Sequence, residues 1–598
     1  MGGNTTYSDL QEALVYFFNA AVPAAAVSGD TELAAWTKTV VDYTISNQAS
    51  DGWFGPTPRW QWARWLYLLG AMQYLEVNQH DASIATPLLD SIYKFVNVSS
   101  AMLNTTTYDA GNGGTTGVES WGAVRPQEYM HTLLSLYDHF PRDASSQALL
   151  LATARRVKEV GDVTVTPSWE DFYQPGTFNT DGYGPITQRS HNVNLALALK
   201  LPALQYRLTG GDAAERQRNN DWFSTLYKYH GTPAGHFQGD EHLAGLEPHR
   251  GAETCQMVEN IFSNAVSYSI LGRNDEADRA EQVAYNSLPG ALTGDTWQHQ
   301  YLQQLNQIYV GNMDVNPFRS DGNYSNTQGL EPNYPCCTVN HPAGFPKFIT
   351  HSWMKTWDQK SLVHVLLGPS HVTTQMNGGA VDVVAATNYP FDKQLVYTVN
   401  AAKPFNLNLR IPGWVKNATY AVNSGSAKAV SANSASQQVL AIPAGKTTVT
   451  FTLPQTTVVT PNPSGNNSVY IHRGPLHYVA DVPFSSNVVN TWPQYGLSNV
   501  RDLSFDPTQP WNHAIDPNSL VFHDANVATG SLPSPVFDAG KAPYSFTATA
   551  CSVDWSTTGN QFVDGTPNKP TCTGAKQNIT LVPYGAAKLR IGQLPVFS

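Results

Sequence analysis

Three of the five cysteines in this 598-residue chain lie where they could bind a metal or act as nucleophiles. Glu253 and Cys255 are two positions apart, and Cys336 is followed directly by Cys337. One carboxylate and three thiolates form a donor set that suits tetrahedral zinc. A free cysteine thiol has a pKa of about 8.5, so it is mostly protonated at neutral pH. Coordination to zinc would make one of these thiols a thiolate, which can attack an electrophilic carbon.

The spacing alone leaves other interpretations open. Buried free cysteines act as small apolar side chains, and Cys255 could form a disulfide with either member of the adjacent pair. Side chains two positions apart on a helix point about 200° away from each other, whereas in extended backbone they lie on the same face. Glu253 and Cys255 can therefore bind one ion only if they precede or open the helix whose apolar stripe begins at Met257.

The sequence up to about residue 354 predicts a helical domain. Apolar residues recur every three or four positions, which is typical of amphipathic helices. Loops rich in glycine, proline and tryptophan separate these segments, and the pairing predicts an (α/α)6 barrel with a cleft at one end. The predicted helices cover residues 8–21, 31–46, 59–77, 91–102, 127–140, 146–160, 189–209, 212–230, 254–271 and 275–288.

The pattern changes after about residue 362. Short β-branched and alternating runs, separated by glycine, proline and asparagine turns, are typical of antiparallel β-sandwiches. We predict a barrel over residues 1–362, a β-sandwich over 363–470, and a second sandwich or a continuation of the first over 471–598.

The composition limits the possible functions and cellular locations of the protein. Charged residues make up 14% of the chain, the net charge is −11, and no basic run is present, which argues against a nucleic-acid partner. No apolar run is long enough to span a membrane, and the first residues lack the apolar segment of a signal peptide. Low lysine content and the glycosylation sequons favour a secreted glycoprotein. The sequons begin at Asn4, Asn97, Asn104, Asn323, Asn417, Asn466 and Asn578.

The remaining two cysteines, Cys551 and Cys572, lie in the β region. In an oxidising compartment they could form a disulfide that closes a loop of about 20 residues and stabilises the fold by about 3 kcal/mol.

Several motifs, taken in order along the chain, resemble glycoside hydrolase families 127 and 146, the zinc- and cysteine-dependent β-L-arabinofuranosidases. The resemblance runs from about residue 50 to the C-terminus and implies an (α/α)6 barrel followed by β-sandwich domains. The cysteine and carboxylate motifs carry the chemistry, and the motifs of the β region only support the resemblance. The motifs are Glu253-Thr-Cys255, Tyr285-Asn286, Cys336-Cys337 with Asn340, Leu409-Arg-Ile-Pro-Gly-Trp414, Arg473-Gly-Pro-Leu476 and Pro583-Tyr-Gly585.

The resemblance also implies roles for individual residues. The zinc ligands would be Glu253, Cys255, Cys336 and Cys337, with Cys336 as the nucleophile. The general acid/base would be Glu241.

The sequence departs from the family pattern next to this acid. Asp240 stands between Gly239 and Glu241, and the stretch up to Glu253 is short. Asp240 and Glu247 are therefore rivals for the acid/base role.

The resemblance further implies that His191, at the start of a helix, contacts the sugar. A second set of possible sugar-binding residues follows from residue type alone. These aromatic and histidine side chains could form a sugar platform: Trp53, Trp60, Trp297, His299 and Tyr301. Most aromatic residues of helical barrels, however, belong to the core.

We therefore expect a secreted, retaining exo-glycosidase that acts on an oligosaccharide, polysaccharide or glycoconjugate and releases β-L-arabinofuranose. Two alternatives remain. A polysaccharide lyase of the same architecture would use Tyr183 or His191 as the base and release an unsaturated uronide. A non-catalytic glycan-binding protein would hold a structural zinc whose ligands are all closed off from solvent.

Overall fold

The computed structural model describes residues 10, 12–55, 59–104, 121–174 and 186–597. Contact density divides the chain into two compact units. The first comprises Met1–Tyr229, Val258–Leu271 and Tyr334–Thr350, and the second comprises His230–Met257, Gly272–Asn333 and His351–Ser598. The predicted domain boundaries at residues 362 and 470 stay a prediction.

The first unit is helical. Capping residues fix several helix starts, because Asp30 and Asp143 accept hydrogen bonds from backbone N–H groups of the first turn. No helix in the described part of the chain is long and apolar enough to cross a membrane. The described helices that lie wholly or mostly in this unit are Ala13–Ser28, Thr31–Ser46, Gln61–Asn78, Ala82–Leu103, Trp121–Val124, Pro126–His139, Ala144–Thr164, Trp169–Phe172, Asn192–Ala198, Leu201–Leu208, Ala213–His230, Thr254–Leu271, Cys336–Asn340 and Gly344–Thr350.

Proline explains one error in the predicted helices. The predicted helix 189–209 is two helices, Asn192–Ala198 and Leu201–Leu208, because Pro202 lies in the first turn of the second helix and cannot donate a backbone hydrogen bond to the preceding one.

The predicted helix 275–288 is also interrupted. It consists of Asn274–Gln282, a π-helical turn at Val283–Ser287 and Leu288–Ala291. The predicted helix 8–21 is found as Ala13–Ser28, and part of the predicted range lies outside the described residues.

A small sheet in the second unit precedes the helix Thr254–Leu271. Its four strands, in spatial order, are His242–Leu243, Gly239–Asp240, Gly251–Glu253 and Leu302–Gln304. The pairing of Gly239 with Ala252 is parallel, and the other pairings are antiparallel.

Two sheets form a β-sandwich around one apolar core. Along the strand Gln394–Ala401 the side chains of Leu395, Tyr397 and Val399 are buried, as alternation predicts for a sheet with one buried face. The core contains residues from both sheets, including Phe451 of the first and Leu407 of the second. The first sheet is ordered Lys428–Ala429, Thr419–Val422, Gly445–Thr452, Gln394–Ala401, Gly379–Ala386, Ser370–Met376, and the second Gln437–Ile442, Phe405–Arg410, Ser361–His364, Trp353–Lys355.

A larger, mostly antiparallel sheet follows. Its main path is Thr457–Pro461, Ser468–Arg473, Leu476–Asp481, Gln577–Pro583, Tyr544–Ser552 and His513–Ile515. Val521–Asp524, Arg590–Ile591, Leu594–Pro595 and Asn306–Gln307 join this path at its sides. Two further pairs of strands are Phe484–Trp492 with Leu497–Pro507, and Thr557–Thr558 with Phe562–Val563.

A buried arginine connects the helical segment 274–291 to the sheets of the second unit. Arg410, which is fully buried, forms ion pairs with Asp278 and Glu281. The hydroxyl of Tyr389 donates to Glu281 Oε2 at 2.6 Å. The Glu281 carboxylate is therefore compensated by a cation and by a neutral donor.

Asn286 makes a second connection of this kind. Its Nδ2 donates to the Pro475 carbonyl oxygen at 2.9 Å, and its Oδ1 accepts from the backbone N–H of His477 at 2.8 Å. Nearby, the Nδ1 atom of His236 lies 2.7 Å from the hydroxyl of Ser287. We call Glu281, Asn286, Ser287, Arg410, His236 and His477 the tie cluster.

Candidate metal centre and active site

Glu253 and Cys255 lie on either side of a strand-to-helix junction. Glu253 ends the strand Gly251–Glu253, and the helix begins at Thr254. Thr254 is fixed by two hydrogen bonds, from its backbone N–H to the Tyr301 carbonyl at 3.0 Å and from its hydroxyl to the Gln300 carbonyl at 2.6 Å. This is the arrangement that the sequence requires if both side chains are to share an ion.

Cys336 and Cys337 open the short helix Cys336–Asn340. Cys337 is fully buried, whereas Cys336 is only half-buried. Neither is in a disulfide, and nor is Cys255, so the alternative of a disulfide from Cys255 to the pair is not formed.

The four predicted ligands come together. One ligand atom each from Glu253, Cys255, Cys336 and Cys337 lies within 4.8 Å of the other three. Sulfur and carboxylate donors at this separation suit zinc, and Cys336 is the member of the set with the most exposed side chain.

A second group overlaps with this cluster. His191, Glu241 and Glu253 also place one ligand atom each within 4.8 Å of one another. His191 caps the helix Asn192–Ala198, and its Nδ1 accepts from the backbone N–H of Val193 at 3.2 Å.

Aromatic and cationic side chains lie next to His191. The ring of Trp121 meets the His191 ring edge to face at 5.1 Å between centroids. The guanidinium of Arg125 lies 4.4 Å from the Trp121 ring and 4.7 Å from the Trp62 ring. The predicted contact of His191 with the sugar stays a prediction.

Glu241 has an unusual backbone conformation. Its φ is +65°, a region that residues other than glycine rarely occupy and that is concentrated at functional sites. Its side chain is largely buried, and the hydroxyl of Tyr301 donates to Glu241 Oε1. Tyr301 therefore binds the candidate acid/base directly.

The two rivals of Glu241 lie in different surroundings. Asp240 is fully buried, forms an ion pair with Arg250 and accepts from the backbone N–H of Arg319 at 3.2 Å. Burial raises the pKa of Asp240 to about 7, and the charge of Arg250 acts in the opposite direction. Glu247 is exposed. Of the three carboxylates, Glu241 is the one grouped with Glu253.

No pattern in the sequence predicts that Asp321 is close enough to Glu241 for the two carboxyl groups to interact. Asp321 is almost fully buried and accepts from Asn333 Nδ2 at 2.7 Å. Burial and the neighbouring carboxylates Glu241 and Asp240 raise the pKa of Asp321 well above its ordinary value. An aspartate followed by glycine in a polar stretch predicts an ordinary turn, so the sequence holds no signal for this contact.

Glu12, which precedes the first helix, was also missed. Burial and the nearby Cys336 raise its pKa to about 8, and the charge of Arg125 lowers it. Its position has no motif in the sequence.

The remaining predicted residues have varied environments. His299 is fully buried, and its backbone pairs with that of Gly329 in both directions. Trp53 is a core residue under the Arg64 guanidinium, whereas Trp297 is exposed. Tyr183, the alternative base of a lyase, lies outside the described residues.

Cys551 and Cys572 form a disulfide with a Cα–Cα distance of 5.5 Å. Both residues lie in the second unit, away from the three free thiols in the sequence.

Comparison with known proteins bears on these observations. The family model described as beta-L-arabinofuranosidase, GH127 middle domain, matches residues 361–455, which contain most strands of the β-sandwich. The predicted resemblance to family 127 is thereby confirmed over residues 361–455. Comparison of the sequence with curated proteins gives no match.

Solved structures support the same fold over nearly the whole chain. A glycoside hydrolase is 15% identical with a TM-score of 0.70, and the match covers 98% of this chain and 92% of that one. A GH127 β-L-arabinofuranosidase from Geobacillus stearothermophilus T6 is 16% identical with a TM-score of 0.65, covering 97% and 88%. A GH127 β-arabinofuranosidase is 14% identical with a TM-score of 0.61, covering 97% and 87%. The predicted fold class, an (α/α)6 barrel with β-sandwich domains, is confirmed.

Proposed function

We propose that this GH127-type protein is a retaining exo-glycosidase that releases a terminal β-linked furanose, with β-L-arabinofuranose as the first choice. The observation that carries the proposal is the four-residue cluster of Glu253, Cys255, Cys336 and Cys337, in which Cys336 alone is more than marginally exposed. A purely structural metal site would close off all four ligands. Cys336 is instead half-buried, as we expect for a nucleophile that must meet a substrate.

The donor set fits zinc. Three sulfurs and one carboxylate oxygen are soft and borderline donors that suit a tetrahedral ion. Zinc bound by Glu253, Cys255, Cys336 and Cys337 would keep the Cys336 sulfur in the thiolate form at neutral pH.

The reaction then needs two groups of this chain. The Cys336 sulfur attacks the anomeric carbon, while Glu241 protonates the departing glycosidic oxygen. In the second step the Glu241 carboxylate takes a proton from the water that displaces the sulfur. Two displacements at one carbon retain its configuration.

Glu241 is the acid/base in this proposal because it is grouped with His191 and Glu253, while its rivals are not. Asp240 is engaged by Arg250, and Glu247 is exposed. Tyr301 would hold Glu241 in place and His191 would contact the sugar, whereas His299 is fully buried.

The choice of sugar rests on the printed activity of the similar structures, two of which are β-arabinofuranosidases. Secretion is supported by the Cys551–Cys572 disulfide, because disulfides persist in oxidising compartments. Five sequon asparagines in the described part of the chain are exposed, as attachment of a glycan requires: Asn97, Asn104, Asn323, Asn417 and Asn578.

The test is turnover of an aryl β-L-arabinofuranoside by the wild-type protein and by Cys336→Ser. We expect the substitution to lower kcat by at least about 1,000-fold, because a serine hydroxyl is a far weaker nucleophile than a thiolate. The metal content of both proteins is measured by mass spectrometry, since Cys336 is also a ligand. Equal turnover by the two proteins would rule out the cysteine mechanism.

A matched control separates this effect from the loss of any cysteine. The double variant Cys551→Ser/Cys572→Ser removes two sulfurs outside the cluster, and we expect its kcat at 25 °C to stay within about twofold of wild type while its stability falls by about 3 kcal/mol. Release of an unsaturated uronide absorbing in the ultraviolet would instead favour a lyase.

A further inference from the structure

A buried hydrogen bond joins the two helices that carry the cysteines of the four-residue cluster. Asn340 Nδ2 donates to Glu259 Oε1 at 3.1 Å, and both side chains are almost completely buried. Both residues belong to the first unit. A carboxylate can only accept, so the amide must turn its Nδ2 towards Glu259. The bond therefore has one defined donor and one defined acceptor.

The two partners have the same spacing from the cysteines. Glu259 follows Cys255 by four positions within one helix. Asn340 follows Cys336 by four positions within the other. Residues four apart lie one turn apart on the same face of a helix. The bond thus lies one turn behind the cysteines, on the helix faces that carry Cys255 and Cys336.

The shorter of the two helices needs such an anchor. Cys336–Asn340 has five residues, and a helix of this length is not stable by itself in water. At its end, the Nδ1 atom of His341 lies 3.0 Å from the Cys337 carbonyl oxygen. That contact is local, whereas the bond from Asn340 fixes the short helix against Thr254–Leu271.

Two buried lysines interact with Glu259. Burial lowers the pKa of Lys200 and of Lys347, and the negative charge of Glu259 acts in the opposite direction. Their ammonium groups lie 5.1 and 4.1 Å from the ring of Phe262, which belongs to the same helix as Glu259. These cations compensate the buried carboxylate, which can therefore serve as the acceptor for Asn340.

We propose that Glu259 and Asn340 are positioning residues, which hold Cys336 and Cys337 at the distance from Cys255 that one metal ion requires. The bond acts through the two helices and not on the sugar. Groups that orient metal ligands in this way raise the affinity for the metal. The inference rests on the proposed zinc centre, and zinc binding tests it without any substrate.

The first test removes the donor. Asn340→Leu keeps nearly the same volume, and we expect the Kd for zinc, measured by competition with a chromophoric chelator, to rise by about 10- to 100-fold. The matched control is Asn264→Leu, on the same helix as Glu259. Asn264 is equally buried, but its Nδ2 donates to Asn260 of its own helix, so we expect an unchanged Kd. Urea unfolding of the metal-free proteins checks that each variant is folded.

The second test exchanges the partners. Asn340→Asp sets two carboxylates against each other, and we expect it to weaken zinc binding at least as much as Asn340→Leu. Adding Glu259→Gln restores one donor and one acceptor with the same total charge, so most of the lost affinity should return. A general loss of core packing would not be repaired by a second buried substitution.

Three results would contradict the inference. The first is wild-type zinc affinity in a folded Asn340→Leu protein, and the second is a failure of Glu259→Gln to restore zinc binding to Asn340→Asp. The third, a wild-type protein that binds no zinc, would contradict the proposed function as well. Zinc binding that responds as expected in a protein that hydrolyses no furanoside would contradict the proposed function alone and support the positioning role.

Discussion

Glu281 of the tie cluster and Glu241 of the candidate active site are both buried glutamates, but they have different partners. Glu281 is bound by the Arg410 guanidinium, the Tyr389 hydroxyl and the backbone N–H of Leu367. Glu241 has a tyrosine hydroxyl and a second carboxyl group, Asp321. A buried carboxylate opposite a cation holds elements together, whereas we expect one that meets a hydroxyl group and a second carboxyl group to serve in proton transfer.

The largest effect that tests this comparison should come from removing the carboxyl group of Glu241. Glu241→Gln preserves shape and hydrogen bonding, so we expect stability close to wild type and kcat lowered by about 100- to 10,000-fold. The loss should be smaller for a substrate with a good leaving group, because such an oxygen departs with little help from an acid. Turnover is measured with two aryl β-L-arabinofuranosides of different leaving-group acidity. A loss that is the same for both would point to Asp240 or another residue as the acid.

The tie cluster should respond in the opposite way. Arg410→Met leaves the Glu281 carboxylate buried without its cation, and we expect a loss of about 3–5 kcal/mol in the free energy of unfolding. Turnover per folded molecule should change little. Denaturant unfolding measures the first quantity, and kcat at a temperature where the variant is folded measures the second.

The control for Arg410→Met is an ion pair at the surface. Asp42→Asn removes the partner of Lys38, and both side chains are exposed. We expect no measurable change in stability, because water already solvates both charges. A loss as large as that of Arg410→Met would mean that burial does not decide how much stability is lost when an ion pair is broken.

The dependence of stability on pH also tests the comparison, because the tie cluster contains buried histidines. Burial lowers the pKa of His236 to about 3 and that of His477 well below its ordinary value. In the unfolded chain these rings have a pKa of about 6.5. The unfolded state therefore binds more protons as the pH falls from about 6.5 towards 3, and stability is lost over this range at about 1.4 kcal/mol per pH unit for each ring.

Urea unfolding between pH 7 and pH 5 measures this slope. His236→Gln should make it shallower by about the contribution of one ring, and His80→Gln, at an exposed position, serves as the control. A slope that is unchanged by His236→Gln would show that this ring is protonated in the folded protein.

The sequence predicted the helices and strands where local patterns dominate. The predicted helices 31–46 and 254–271 are found as Thr31–Ser46 and Thr254–Leu271, because polar caps and a regular apolar stripe mark their ends. An apolar pattern does not show where a proline ends a helix, and Pro202 divides residues 189–209 into two helices.

The candidate site was predictable only in part, for a physical reason. Glu253, Cys255, Cys336 and Cys337 form two pairs of nearby residues with distinctive chemistry, so spacing and resemblance were enough to group them. The contact of Asp321 with Glu241 spans 80 positions and arises from the fold, so no local pattern could reveal it.

The motifs of the β region illustrate the same limit in another way. Arg410 belongs to the stretch Leu409–Trp414, and Pro475, which accepts from Asn286, belongs to Arg473–Leu476. These motifs support the resemblance but contain no catalytic residue. In the structure they form buried contacts between elements.

The strand-to-helix junction at Glu253 and Thr254 fixes the number of residues that can separate Glu253 from Cys255. Inserting one residue between Glu253 and Cys255 would turn the second donor by about 100° around the helix axis and separate the pair. The segment between Glu241 and Gly251 is constrained in another way, because it contains the strand His242–Leu243 and Arg250, which pairs with Asp240. In distant relatives the two-residue interval between Glu253 and Cys255 should therefore be held fixed in an alignment.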